Sequence, residues 1–456
     1  FFVIIIFVLF SYGASRGYMH WDSGLYHAQA IRWIEEYGVV PGLANLHCRL
    51  AYNSSAFVLT ALYSMSFLGG QSLHTVSGFM ALILVIKGLD VIKVFSRKKV
   101  LVSDFVKVAM LFYISIIYTE MMSPASDYFA MLFLFYIVVT WIELEEKKEK
   151  DITPYGMLCV LLAVNVTIKL SSAIMLLLVL KPAVVLLKEK RYGQIGIYLF
   201  LGILAVFPYL ARNVILSGWL VYPFPSIDLF SFDWKIPVGE VEYDAEEIKV
   251  YAKGMTDVLL KDTPMNSWLP KWFAGLKGLE KIWVLGSVIS VAGGILVTVW
   301  GVFKKKKEIL GLLFLQWVMI AGYLFWQIGT PLVRYGYIYI LAFPFFTIGL
   351  WFVLLFEKRE KSYWLFGAAL LVFFIYKGGN MVESIAASSG QDCYVWQQDY
   401  YTGPYDTYEI EGVEFYYPLD RGQIGYSKFP GAPHERYDFE LRGNDLKDGF
   451  RRISVE

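Results

Sequence analysis

Apolar residues gather in long runs at 1–15, 54–70, 73–95, 100–119, 127–143, 154–168, 170–187, 192–211, 280–302, 308–327, 336–356 and 361–377. Several approach the roughly 20 consecutive apolar residues that cross a bilayer. The pattern predicts an all-α polytopic membrane protein. Two other patterns interrupt it. In "GLYHAQAIRWIEEY" (24–37) the spacing of Leu25, Ala28, Ile31 and Ile34 predicts a helix that Gly38 ends. In "YEIEGVEFYYP" (408–418) polar and apolar residues alternate around Glu411-Gly412, which predicts a short hairpin. The opening run "FFVIIIFVLF" precedes "SYGASRGYMHW", which holds no small-residue cleavage site, so a retained span is expected rather than a signal peptide. That run is short for a span and lacks an initial methionine, so residues before Phe1 are expected.

Charge orients these runs. Basic clusters stand at Arg97, Lys98 and Lys99; at Lys147, Lys148 and Lys150; at Lys188, Lys190 and Arg191; at Lys304 to Lys307; and at Lys358, Arg359 and Lys361. Short loops rich in Lys and Arg stay cytoplasmic. All five fall on that side if 54–70 lies on the outer membrane face as a juxtamembrane helix. The expectation is about 11 transmembrane helices with a cytoplasmic N-terminus. If 54–70 crosses instead, the chain has twelve spans and an external N-terminus. In the favoured arrangement the outside holds 16–72, 120–127, a long loop at 212–279, 327–336 and a tail. The division is a transmembrane domain at 1–377 and a small mixed extracytoplasmic domain at 378–456.

Composition agrees. Only 18% of residues are charged, against about 25% in soluble domains. A net charge of +1 leaves no nucleic-acid footprint. Cys48, Cys159 and Cys393 lack metal-type spacing, and no disulfide between Cys48 and Cys393 is expected. Asn53 and Asn165 begin glycosylation sequons, but both lie in or beside apolar runs and are not read as acceptors.

The unusual polar residues cluster on the outer side. Asp22, in "HWDSGLYH" (20–27), can cap the following helix, as can Ser23; it can also serve as a general base toward a hydroxyl. Asp127, in "SPASDYF", has the same two readings. Lys169, in "NVTIKLSS", interrupts an apolar hairpin, where a charge is costly unless paired or facing water. Arg212, in "YLARNVILSG", and Arg334, in "TPLVRYGY", sit at the outer ends of apolar runs, where snorkelling is the plainer role. Three cations near two carboxylates suit a phosphate or pyrophosphate substrate beside a nucleophile to deprotonate. Lys87, Asp90, Lys93, Asp104 and Lys107 are placed to pair or snorkel. No chain of acids at mid-membrane and no repeat of broken helices supports an ion-coupled transporter.

A first span, an external loop with an acid, a surface helix, many further spans and an external C-terminal region together resemble the GT-C class of membrane glycosyltransferases, such as protein O-mannosyltransferases and bacterial aminoarabinose transferases. "WDSGLYH" is similar to the class's acidic motif, with Asp22 and Tyr26 at matching positions and Ser23 where a second acid is often found. "NVTIKLSS" looks like its Thr-Lys segment, "ARNVILSGWLVYPF" like its Arg-Asn-to-Pro stretch, and "VRYGYIYILAFP" like its Arg-Tyr-to-Pro segment. The resemblance covers about 1–377. It implies a polyprenyl-phosphate-linked sugar donor, a glycan, lipid or protein acceptor, and inversion with Asp22 as base. Asp127 would orient the acceptor or a cation. Lys169, Arg212 and Arg334 would neutralise the donor phosphate, and Tyr26, His27 and Tyr335 would meet substrate. Metal use varies in the class. His20, His27, Asp22 and Asp127 are the set that would hold a divalent cation, although a structural role is commoner for a histidine such as His27. The implied location is a bacterial inner membrane. The alternative is a flippase or transporter for a lipid-linked saccharide. A polymerase or ligase fits less well, because 212–279 is acidic and aromatic rather than rich in Arg and His.

Overall fold

The computed structural model describes residues 2–304, 306, 309–356, 361–387, 396–420 and 422–453. Cys393, Lys305, Lys307, Lys358 and Arg359 lie outside the described residues. The chain is mostly helical, with helices α1 (Phe2–Ser15), α2 (Ala28–Tyr37), α3 (Ser55–Leu62), α4 (Ser66–Gly69), α5 (Val76–Gly88), α6 (Val94–Arg97), α7 (Val102–Ile117), α8 (Ser126–Glu146), α9 (Thr153–Ile168), α10 (Leu180–Lys188), α11 (Tyr192–Ser217), α12 (Val238–Ala252), α13 (Met265–Gly275), α14 (Gly278–Phe303), α15 (Leu310–Gly329), α16 (Val333–Tyr337), α17 (Phe343–Phe356) and α18 (Ser362–Ala387). Strands β1 (Tyr405–Ile410), β2 (Val413–Pro418), β3 (Phe439–Leu441) and β4 (Phe450–Arg452) follow. Among the described residues, eight helical segments are long and apolar enough to cross a membrane. Shorter apolar helices lie at Val3–Ser15, Ser55–Leu68 and Thr153–Ile168. The protein is a membrane-embedded helical bundle with a small C-terminal sheet region.

Buried α8 is the ruler of the bundle. Asp127 stands in its first turn and Glu143, Glu145 and Glu146 in its last. Sixteen residues separate Asp127 from Glu143, about 24 Å at 1.5 Å per residue. The far end is tied by ion pairs from Glu143 to Lys87 (2.9 Å) and Lys107 (2.7 Å), and by one from Glu145 to Lys181. Glu146 accepts from the Ser103 hydroxyl at 2.6 Å. Arg97 pairs with Asp104 at 2.8 Å and Lys93 with Asp90 at 2.9 Å. The charges expected to pair or snorkel therefore pair, and they do so at the end of α8 opposite Asp127.

The run 54–70 is broken. The Ser54 hydroxyl caps α3, which ends at Leu62; Met65 then takes a left-handed conformation and Gly70 ends α4. Both extremities face the Asp127 end of the bundle. The Ser54 and Ser55 hydroxyls donate to Ile168 O and Thr167 Oγ1 at the end of α9, and Gln71 donates to Gln397 O in the tail. The expected helix at 170–187 is also divided. Lys169 is extended, and Leu170–Val179 wind as a 3₁₀ helix before α10, although such stretches rarely exceed 3–4 residues.

The tail has no core of its own. Trp33 in α2 packs on Phe429 and Phe450, which joins Phe415 and Phe439. Gln29 locks the junction: its Nε2 donates to Gly425 O and Lys428 O, both at 2.8 Å, and its Oε1 accepts from Gly431 N. The expected hairpin is present, with Ile410 opposite Val413 and both turn residues, Glu411 and Gly412, at positive φ, as a tight two-residue turn requires. α18 runs on to Ala387, past the expected boundary at 377.

Phe450→Ala is expected to cost about 3–5 kcal/mol at this junction. Hydrogen exchange should show 396–453 and 26–57 losing protection together while α8 keeps its own.

Candidate functional site

Asp22 begins a π-turn, Ser23–His27, that leads into α2, and no cap bond forms from its side chain. Asp127 is the second residue of α8, behind Ala125 as N-cap, and it caps nothing either. Both carboxylates go instead to one guanidinium. Arg334 donates from Nη2 to Asp22 Oδ2 at 2.8 Å, and its Nε lies 3.2 Å from Asp127 Oδ2. Lys169 Nζ pairs with Asp127 Oδ1 and sits 3.7 Å above the centre of the Tyr335 ring. Two acids and two bases thus form one charge-balanced quartet, drawn from the first loop, α8, the α9 end and α16. A second π-turn, Ile338–Ala342, follows Arg334 closely; such turns gather at functional sites.

Histidines surround Asp22. His20 accepts Asp22 N–H at Nδ1 (3.2 Å), donates its own backbone N–H to Ser123 Oγ, and holds its Nε2 against Arg334 Nη1. Burial, followed by the Arg334 charge, lowers its pKa. Burial drives His27 down to about 3, so both rings are neutral at pH 7. Burial alone would raise the Asp22 carboxyl, but its charged surroundings, Arg334 foremost and Arg49 behind it, outweigh burial and hold the carboxyl below its ordinary range. Asp22 is therefore ionised at neutral pH. Tyr26 and His27 are buried behind it, with Tyr26 against His27 and Tyr52, and His27 against Ser23 Oγ and Phe57.

Arg212 stands apart from the quartet. Its guanidinium donates to Asn53 Oδ1 (2.9 Å) and Gly38 O (3.1 Å), and it makes no ion pair among the described residues. The third cation acting on Asp22 is instead Arg49, in "HCRLAY", a loop stretch with no periodic signal. Glu120, bonded by the Tyr128 hydroxyl, also adds its charge near His20. Among the described residues no three His, Cys, Asp or Glu side chains are grouped to hold a metal ion. The guanidinium of Arg334 fills the gap between the two aspartates that a shared ion would need.

Two recesses adjoin this region. An apolar groove of about 520 Å³ runs between α9, residues 170–188 and α11, from Gly156 to Ala163 and Leu210. Arg212 follows Leu210 by two residues on α11 but does not line the groove. A recess of about 540 Å³ has Arg334 in its wall with Lys271, Glu280 and Tyr337.

The family described as domain of unknown function (DUF8201) matches residues 1–341, and the chain belongs to that family. No curated protein and no solved structure matches it.

The Asp22 carboxyl has a lower pKa folded than unfolded. Its stabilising pairing is therefore complete above the ordinary value near ~3.9 and is lost as pH falls through the lower folded value. Thermal unfolding of wild type and Asp22→Asn in detergent should differ by a constant amount between about pH 5 and 8 and converge in more acid solution. His20 and His27, held neutral in the fold, lower the stability of both proteins as pH falls below about 6.5, the ordinary imidazole value, and this shared loss cancels in the difference.

Proposed function

We propose that this member of the DUF8201 family is a GT-C-type glycosyltransferase. It moves a sugar from a polyprenyl-phosphate donor to an acceptor hydroxyl, with inversion, on the outer face of a bacterial cell membrane. One observation carries the reading: of the helices that wall an apolar groove, α9 leads on to Lys169 and α11 carries Arg212, which makes no ion pair among the described residues, and Lys169 belongs to the cluster in which Arg334 holds Asp22. A polyprenyl chain matches the groove, and its phosphate matches Arg212 and Lys169.

The chemistry follows from the charges. Asp22 takes the proton of the acceptor hydroxyl, whose oxygen attacks the anomeric carbon from the face opposite the phosphate. The carbon–oxygen bond to phosphate breaks, and the electron pair leaves with the phosphate oxygen. Cations at that oxygen do the work a general acid does in glycosidases. The resting quartet is neutral and Arg334 is shared. A phosphate that draws Arg334 toward itself leaves Asp22 buried with less counter-charge, and burial then raises its basicity. Asp127 keeps Lys169 and Arg334 in position. Tyr335, under the Lys169 ammonium, meets the same phosphate face.

The membrane orientation belongs to the same proposal. Eleven crossings put Asp127 outside and the α8 glutamates inside, with 54–70 lying on the outer surface. The two ends of 54–70 share contacts on one side, and the basic stretches at 97–99, 147–150 and 188–191 follow helix ends on the other, in line with the excess of Lys and Arg in cytoplasmic loops.

In nanodiscs, Asp22→Asn is expected to lower sugar transfer by about 10²–10⁴-fold while lipid-phosphate binding survives. Arg212→Ala should weaken lipid-phosphate binding and leave the Asp22–Arg334 pair intact. Full transfer by Asp22→Asn removes the assigned base. Movement of donor across vesicles with no transfer to any acceptor replaces the enzyme with a flippase.

A further inference from the structure

A third recess, about 550 Å³, opens between the first loop, α12 and the tail, away from the lipid groove. Leu25 in its wall belongs to the π-turn that Asp22 begins. Arg49, also in the wall, is the cation that acts on Asp22 from this side. The recess is thus one layer of residues from the carboxylate.

Its lining is built to hold something polar. His47 is only 7% exposed. Its Nδ1 accepts the Arg49 N–H at 3.2 Å, and burial lowers its pKa to about 3, so the neutral ring carries its proton on Nε2. That N–H lines the recess with no protein acceptor among the described residues. An N–H that no protein acceptor takes up is open to a ligand acceptor. Acceptors stand on α12. Asp244 is held by the hydroxyls of Tyr52 (2.7 Å) and Tyr222 (2.8 Å) and makes no ion pair among the described residues. Glu247 lies 3.5 Å from Arg49. Between them Tyr243 offers a ring that is 59% exposed. Donors, acceptors and an aromatic face around one cavity of this volume match the hydroxyls and apolar faces of sugar rings. Asp244, the wall carboxylate without an ion pair among the described residues, turns away anionic sugars.

We propose that this recess binds the acceptor as an uncharged saccharide, whose reacting hydroxyl passes Arg49 to reach Asp22. The proposal rests on the glycosyl-transfer reading for its reaction, but the binding site stands on its own lining.

Gly239 supplies the test. It lines the recess, and a Cβ built there meets nothing within 4 Å, so Gly239→Trp fills the space without moving the backbone. The full chain in nanodiscs is titrated by saturation-transfer NMR with uncharged disaccharides (diacetylchitobiose, mannobiose, lactose) and with digalacturonate. A polyprenyl phosphate is titrated in parallel. At least one uncharged disaccharide is expected to bind and digalacturonate to fail. Gly239→Trp should weaken that binding by at least about tenfold, His47→Ala should weaken it several-fold, and neither should alter lipid-phosphate binding. Three results overturn the recess as the saccharide site: no uncharged disaccharide binds at millimolar concentration, digalacturonate binds as well, or both variants bind like wild type. Absence of lipid-phosphate binding in the wild type, with saccharide binding intact, instead removes the glycosyl-transfer reading.

Discussion

One guanidinium organises the Asp127 end of this molecule. Arg334 reaches Asp22 in the first loop and Asp127 at the head of α8, and Asp127 in turn holds Lys169 where α9 gives way to a 3₁₀ stretch. A charge at such a depth is costly when unpaired, and breaking one partner of a buried pair leaves the other stranded. Residues far apart in sequence must therefore converge on one point or none of them is tolerated there. The first loop, which alone would be a mobile surface segment, becomes part of the bundle because its carboxylate has nowhere better to go.

The opposite end of α8 obeys the same rule with different consequences. Glu143 is shared by Lys87 and Lys107, and Glu145 takes Lys181. Those groups bind three neighbouring helices to α8. The two clusters differ in what surrounds them. Neutral histidines, aromatic rings and recesses adjoin the Asp127 end, whereas plain charged loops adjoin the glutamate end. The two charge clusters are thus separated by the length of α8.

Much of this was legible in the chain. A charge inside an apolar run stands out, so Asp22, Asp127, Lys169 and Arg334 are visible as a set, and their spacing from the basic loops puts them at one depth. Depth is all that such reasoning yields. It says nothing about direction around a helix, which is why Arg212 shares their level but turns to Asn53 and Gly38 instead. Capping looked equally good for both aspartates because it uses only local sequence, while the competing partner, Arg334, is hundreds of residues away. Arg49 and His47 lie in an irregular loop with no period to betray a buried face. In the tail, alternation marks β1 and β2 but cannot say what their apolar side covers. The rings of Phe415, Phe439 and Phe450 meet one another, and Phe450 carries the cluster on to Trp33.

The junction made by Gln29 and Trp33 also imposes an order on biosynthesis. The junction beside the first loop is completed by backbone carbonyls at Gly425 and Lys428 and by the ring of Phe450, which are made long after the first loop has left the ribosome. Contacts between such distant parts of a chain form late, since the intervening loop must close before they can stabilise anything. A chain caught midway through membrane insertion therefore has its charged quartet within reach but lacks the outer wall that steadies the first loop. A first loop without the 425–450 stretch would keep its charged partners but lose the groups that hold Gln29 and Trp33 in place.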